Sequence, residues 1–212
     1  MVATALWEIG LLEDMDFDQI KISLKAFDVP TTIEAYKRLA ALVPYPLHLG
    51  ITESGTVQSG SIRSAVGLGH LLYTGIGDTI RVSLAGDSRD EVRAGFDILK
   101  SLNLRKEGPT LVACPSCGRA DVDVVLLANQ VDELLKVRRS TVTVALMGCE
   151  VNGPGEAKDA DVGLAAGVGR AVIFRKGKKA RIVQESEMLT ALMEEVELAE
   201  NEASSQSATP AG

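Results

Sequence analysis

The spacing of apolar positions changes several times along the chain, and each change marks an element. Residues 3–15 (ATALWEIGLLEDM) read as a helix, and residues 18–28 (DQIKISLKAFD) as a short strand closing in a charged turn. In 33–43 (IEAYKRLAALV) the stripe Ile33, Tyr36, Leu39, Ala40 and Val43 has the 3.6-residue period of an amphipathic helix. PLHLGITE (46–53) is a second strand, opened by a proline where no ladder donor is lost. SIRSAVGLGHLLYTG (61–75) is a helix of small residues, whose Gly67 and Gly69 suit close packing. TIRVSLAGD (79–87) is a third strand and DEVRAGFDILKSLNL (90–104) another helix. Strand and helix alternate at the spacing of βαβ units, which predicts parallel strands buried on both faces.

Near Asn103 the rhythm changes. PTLVAC (109–114) is a strand, DVDVVLLANQVDELLKV (121–137) a helix and STVTVALMGC (140–149) a strand. DVGLAAG, RAVIFRKG and ARIVQ follow as short strands of a small mixed sheet, and EMLTALMEEVELAENEA (187–203) is a closing helix. The expected organisation is α/β: a partial TIM-type barrel of three βα units over 1–103, a small α+β domain over 104–200, and a disordered tail over 201–212 that holds almost no apolar mass. LNLRKEGPT carries the linker signals between the domains.

Composition narrows the function classes. The chain has 212 residues and 46% apolar content but only 4% aromatics, so its core is aliphatic. No apolar run reaches the roughly 18 residues of a membrane span. The first residues lack a basic stretch and acquire acids early, so no signal peptide is expected. The formal charge is −7 and no basic stripe carries interleaved aromatics, which argues against nucleic acid. Three cysteines make a poor disulfide framework and point to a reducing cytoplasm.

Those cysteines hold the sharpest signal. Cys114 and Cys117 form C-x2-C around Pro115, and Cys149 lies in MGCEVNGPGE. Each segment is an apolar strand that runs out into a cysteine-bearing turn, so adjacent strands would bring the three sulfurs to one end of a sheet. Soft thiolates select zinc or an iron–sulfur cluster. Zinc needs a fourth Cys or His, and only His48 and His70 exist, both in the first domain. Glu156, seven positions after Cys149 across a Gly- and Pro-rich loop, offers an exchangeable carboxylate ligand, although a lone Glu after Pro-Gly also suits a helix start. Asn152 in that loop reads by itself as a turn residue.

The first-domain strands carry a second constellation. Lys21, Ser23 and Lys25 share one face of their strand, against Ile22, Leu24 and Ala26 on the other. Glu53 ends the second strand, and Arg81 and Ser83 point together from the third. Lys25, Glu53, Arg81 and Ser83 could therefore gather at one mouth, at the strand ends where such folds place function. Two cations and a hydroxyl suit a diphosphate, and the acid suits proton transfer. His48, in mid-strand, reads as a hydrogen-bonded core residue.

CPSCGR followed by GCEVNGPGEA resembles the cluster signature of the bacterial 4-hydroxy-3-methylbut-2-enyl diphosphate synthase family, iron–sulfur enzymes of the methylerythritol phosphate route to isoprenoids. KISLKAFD, PLHLGITESG, GIGDTIRVSL and GFDILKSL are similar to that family's segments in the same order, and the resemblance runs from about residue 2 to about residue 200. It implies that Cys114, Cys117, Cys149 and Glu156 ligate a [4Fe-4S] cluster. It also implies that Lys25, Arg81, Ser83 and Asn152 contact substrate and that Glu53 is the catalytic acid. The implied reaction is reductive dehydration and ring opening of 2-C-methyl-D-erythritol 2,4-cyclodiphosphate, driven by reduced flavodoxin or ferredoxin, in a head-to-tail homodimer whose cluster domain caps the partner's barrel. A complete (β/α)8 barrel needs eight strands. The three units here match the family's last three, so the chain is expected to be a fragment. A non-catalytic electron-carrying [4Fe-4S] module and a zinc-stapled fragment are the alternatives.

Overall fold

The computed structural model describes residues 1–150, 155 and 158–207. The chain divides into two compact units, Met1–Lys106 and Glu107–Gly212.

In the first unit, α1 (Val2–Glu13) precedes an extended segment that makes a single parallel bridge, Ile22 with Leu47. Then come α2 (Val29–Ala40), β1 (His48–Gly50), α3 (Val57–Tyr73), β2 (Thr79–Arg81) and α4 (Ser88–Ser101). β1 and β2 pair in parallel, Leu49 opposite Ile80. The predicted first strand is thus reduced to one bridge, and a side chain does what a ladder would do. The buried Tyr36 hydroxyl accepts from Leu24 N at 2.8 Å and donates to the His48 carbonyl at 2.6 Å.

The core of this unit lies on the helical side of the strands. Ile22, Leu24, Leu47, Leu49 and Val82 pack with Ala35, Tyr36 and Leu39 of α2, Leu68 and Leu71 of α3 and Ile98 of α4. α3 comes close over Ile51 because residue 67 is glycine; a Cβ there would stand 2.7 Å from Ile51 Cδ1. Gly69, in contrast, faces open space. The expectation of strands buried on both faces does not hold. Lys21, Ser23, Lys25, Thr79 and Arg81 are exposed on the other face. Alternate positions there are charged or hydroxylic, and removing them from water without partners is costly.

The second unit is one five-stranded sheet in the order β3 (Thr110–Ala113), β4 (Thr143–Met147), β5 (Val162–Gly167), β6 (Arg170–Arg175), β7 (Lys178–Gln184). β3, β4 and β5 are parallel, and β5, β6 and β7 antiparallel. The three late strands therefore share a sheet with the cysteine strands. α5 (Val124–Leu135) joins β3 to β4, and α6 (Met188–Ser207) closes the unit. The main core sets Val144, Leu146, Val162, Leu164 and Ile173 against Val131 of α5 and Leu192 and Val196 of α6. Ala145, Met147, Ala165 and Phe174 form a smaller cluster from the alternate positions. α6 continues to Ser207, through the first residues of the segment expected to be a disordered tail. Within that stretch Glu202 pairs with Arg175, and just before it Glu197 and Glu200 pair with Arg138.

Candidate active site

In the first unit the polar strand faces converge around Gly50. A Cβ at this position would stand 3.3 Å from the Arg81 carbonyl oxygen and 3.5 Å from Lys25 Cε, so the Lys25 stem crosses β1 beside Arg81. One pleat earlier, His48 Nδ1 and Thr79 Oγ1 are 2.7 Å apart. Partial burial, then the charges of Lys25, Lys21 and Arg81, hold the His48 imidazole below its usual range. His48 is half-buried and belongs to this cationic face rather than to the apolar core, contrary to the reading of it as a core residue. The hydrogen bond to Thr79, which brings it onto that face, is a contact between distant segments.

Glu53 and Ser83 are linked through Ser54. Glu53 has φ 53°, in the left-handed region that an L side chain enters at a cost. The next residue, Ser54, is fully buried and donates from Oγ to the Ser83 carbonyl. Arg63 of α3 donates to the Ser54 carbonyl at 3.1 Å, and its guanidinium lies 4.8 Å from the Phe27 ring centroid. Ala85 N donates to the Gly55 carbonyl at 2.8 Å. Ser54 and Arg63 thus tie together the segments that carry Lys25, Glu53 and Ser83. Neither stood out in the sequence, since their partners are distant along the chain. Lys25, Glu53 and Arg81 are exposed and Ser83 is half-buried. The face presents two fixed cations, a hydroxyl and a carboxylate, a set that can bind phosphate oxygens and exchange a proton.

In the second unit, parallel pairing of β3 with β4 sets Ala113 opposite Leu146, so both chains leave the sheet at the same end. Cys114 N donates to the Leu146 carbonyl at 3.0 Å and extends the ladder. Gly148 then joins the two cysteine segments. Its N–H donates to Cys114 Sγ at 3.1 Å, and its carbonyl accepts from Asp121 N at 2.9 Å. A side chain at 148 would run into Val124 at the start of α5. Cys149 is buried, Cys114 half-buried and Cys117 exposed, and all three are free thiols. Hydrogen bonds from the backbone and then the side chain of Arg119 hold the Cys117 thiol below its usual range, which favours the thiolate a metal takes. The donor set suits a soft metal centre. Even so, among the described residues no three Cys, His, Asp or Glu side chains close up as a metal-holding group. The other two expected participants, Asn152 and Glu156, lie outside the described residues.

Comparison with known proteins assigns both units. Residues 1–96 match the model of the GcpE TIM-barrel domain, and residues 110–198 match that of the GcpE protein C-terminal domain. The chain belongs to the GcpE family. Among its curated GcpE-type relatives is a protein of Dehalococcoides mccartyi, 58% identical over 196 residues, named 4-hydroxy-3-methylbut-2-en-1-yl diphosphate synthase (flavodoxin). Proteins of the same name from Geobacter sulfurreducens and Bacillus subtilis are 56% and 47% identical. The three matches take in 92%, 93% and 93% of this chain but 56%, 56% and 52% of the relatives, so the chain spans about half their length. Among the described residues no helix is long and apolar enough to cross a membrane.

Proposed function

We propose that the chain provides the last three βα units and the iron–sulfur domain of a flavodoxin-dependent 4-hydroxy-3-methylbut-2-en-1-yl diphosphate synthase. The substrate is 2-C-methyl-D-erythritol 2,4-cyclodiphosphate. Two electrons and two protons enter, the ring opens at a C–O bond, and one water leaves with formation of the allylic diphosphate. The observation that carries the reading is the paired exit of β3 and β4, with the Gly148 N–H on Cys114 Sγ. It sets two cysteine segments at one sheet end.

Cys114, Cys117, Cys149 and Glu156 would hold a [4Fe-4S] cluster, which when bound supplies electrons one at a time and a Lewis-acidic iron. The remaining work falls to the strand-end face. Lys25 and Arg81, flanking Gly50, neutralise the diphosphate, and Ser83 donates a hydrogen bond to it. Glu53 holds the proton delivered to the departing oxygen. Asn152 orients the substrate from the cluster side. A reduced flavodoxin, which appears in the relatives' names, is the donor for this chain too. A cytoplasmic location and a head-to-tail homodimer belong to the same reading, the first supported by three free thiols.

The test is anaerobic reconstitution of the chain, with iron and acid-labile sulfide measured beside dye-driven turnover. Equal amounts of iron and sulfide in the chain are the expected result; because it holds three of the barrel's eight units, turnover and its loss in Glu156→Ala are read in a full-length enzyme that carries these residues. A fully active Glu156→Ala variant overturns that ligand. Cluster without turnover in the chain alone means that the second unit folds by itself and that the missing strands carry indispensable substrate contacts, whereas zinc or no metal overturns the reading.

A further inference from the structure

Glu150, directly after Cys149, makes a contact that the proposed chemistry does not use. β5 and β6 form a tight hairpin in which Gly167 pairs with Arg170 across Val168 and Gly169. β4 runs parallel to β5 with Met147 opposite Ala165, after which the chain bends at Gly148 and Cys149 and turns at Glu150. Here the Glu150 side chain lies flat on the hairpin. A Cβ added to Gly167 would stand 2.6 Å from Glu150 Oε1, 2.9 Å from Cδ and 3.0 Å from Cγ. Arg170 Nε donates to Glu150 Oε1 at 3.2 Å. Gly167 itself is buried.

We infer that Glu150 is a positioning residue for the metal centre: seated on Gly167 and held by Arg170, it fixes the Cys149 backbone so that its thiolate is presented to the cluster. The inference rests on the proposed function, since it requires Cys149 to be a ligand. As an ion pair the contact adds little to folding. Arg170 and Glu150 are 55% and 42% exposed, and exposed pairs contribute roughly 0–1 kcal/mol. Its effect is geometric. Groups that orient a metal ligand typically alter affinity by about 10–100-fold. Nothing else among the described residues fixes residue 150 to the hairpin in this way.

Three substitutions remove the contact from different sides: Glu150→Gln weakens the charge pair, Arg170→Gln removes the cation, and Gly167→Ala lifts the glutamate off its seat. Gly167→Ala displaces only the flexible end of a side chain and should not disturb the strand. Parent and variant chains are reconstituted anaerobically. Iron transfer to a chelator, the spectrum of the reduced cluster and thermal unfolding of the metal-free chains are then measured. The expected result is a cluster in every chain, iron loss accelerated about ten-fold or more in Arg170→Gln and Gly167→Ala, and an altered reduced spectrum. Arg170→Lys, which keeps the charge, should restore most of the parent rate, and metal-free unfolding should be unchanged. Iron loss at the parent rate in all variants overturns the inference. Acceleration only where the metal-free chain also melts earlier overturns it too, because Glu150 would then merely support the fold. If the parent takes up no cluster, the proposed function itself fails, and the two failures are told apart by the parent alone.

Discussion

Among the described residues, four that are not glycine have positive φ: Asp16, Glu53, Asn103 and Lys176. Asp16 and Asn103 follow the ends of α1 and α4, and Lys176 makes the β6–β7 turn with Gly177. These are places where local turn geometry asks for the left-handed region. Glu53 differs, for it stands at the strand-end face among groups proposed to bind diphosphate. Its neighbour Ser54 is bonded on both sides, to Ser83 through Oγ and to Arg63 through its carbonyl. The surroundings thus hold a conformation the glutamate itself disfavours. Strain of this kind costs on the order of 1–2 kcal/mol and persists where function keeps it. Glu53→Gly is therefore expected to be as stable as the parent or more stable by up to about 1 kcal/mol, and Glu53→Val less stable by about 1 kcal/mol or more. Urea denaturation of the three chains decides the matter. A glycine variant as unstable as the valine variant would mean that the carboxylate serves the fold, not the chemistry.

The helices show what can be read from sequence at the level of an element and what cannot. Apolar periodicity located α2, α4 and α5 but misplaced their first turns, expected at 33, 90 and 121 against Val29, Ser88 and Val124. Each true start is set by an aspartate cap: Asp28 on Thr31 N, Asp87 on Arg89 N and Asp123 on Leu126 N. A first turn built of Pro30 and Thr31 has no apolar stripe to read. Before the last of these caps, Asp121 N–H bonds the Gly148 carbonyl, a contact between distant segments that no local pattern shows. The site divides along the same line. The cysteines, Lys25, Glu53, Arg81 and Ser83 stand out through residue type and strand phase, whereas Ser54, Arg63 and Glu150 matter through long-range partners that no local pattern reveals. The α4 cap also has a pH signature. Hydrogen bonds from the Arg89 side chain and then its backbone bring the Asp87 carboxyl down from 3.8 to about 2. Because the folded value lies below the unfolded one, the cap's contribution is complete above about pH 4 and fades as pH falls through about 2. Carboxyl NMR should give Asp87 a midpoint near 2, moving toward 3.8 in Arg89→Ala. A parent midpoint already at 3.8 would reject the cap geometry.

At the scale of the molecule the two units have unequal sheets. In the first, three-residue β1 and β2 form a two-stranded ladder, and the third extended segment joins it through one bridge, a few backbone hydrogen bonds and the Tyr36 hydroxyl. Two-stranded sheets are marginal without further packing, and here the helices supply it on one face only. Around that core Trp7, Met15, Phe17 and Tyr73 remain exposed. In the second unit every residue of β5 is buried, and β4 and β6 flank it with full ladders. Val144, Leu164, Ile173, Leu192 and Val196 are wholly inaccessible. Opening free energies follow such differences in buried apolar contact and protected backbone bonding. Native-state hydrogen exchange on the intact chain should therefore find its slowest amides in β4, β5 and β6. β1 and β2 should exchange through a lower-energy opening, with denaturant releasing their protection first. Equal protection in β1 and β5, lost at one denaturant concentration, would show that the short strands and their single helical face unfold only together with the five-stranded sheet. Separate transitions would show that the cysteine-bearing unit keeps its fold while the strand-end face opens, so that Cys114 and Cys149 can stay registered on β3 and β4 without an intact strand-end face.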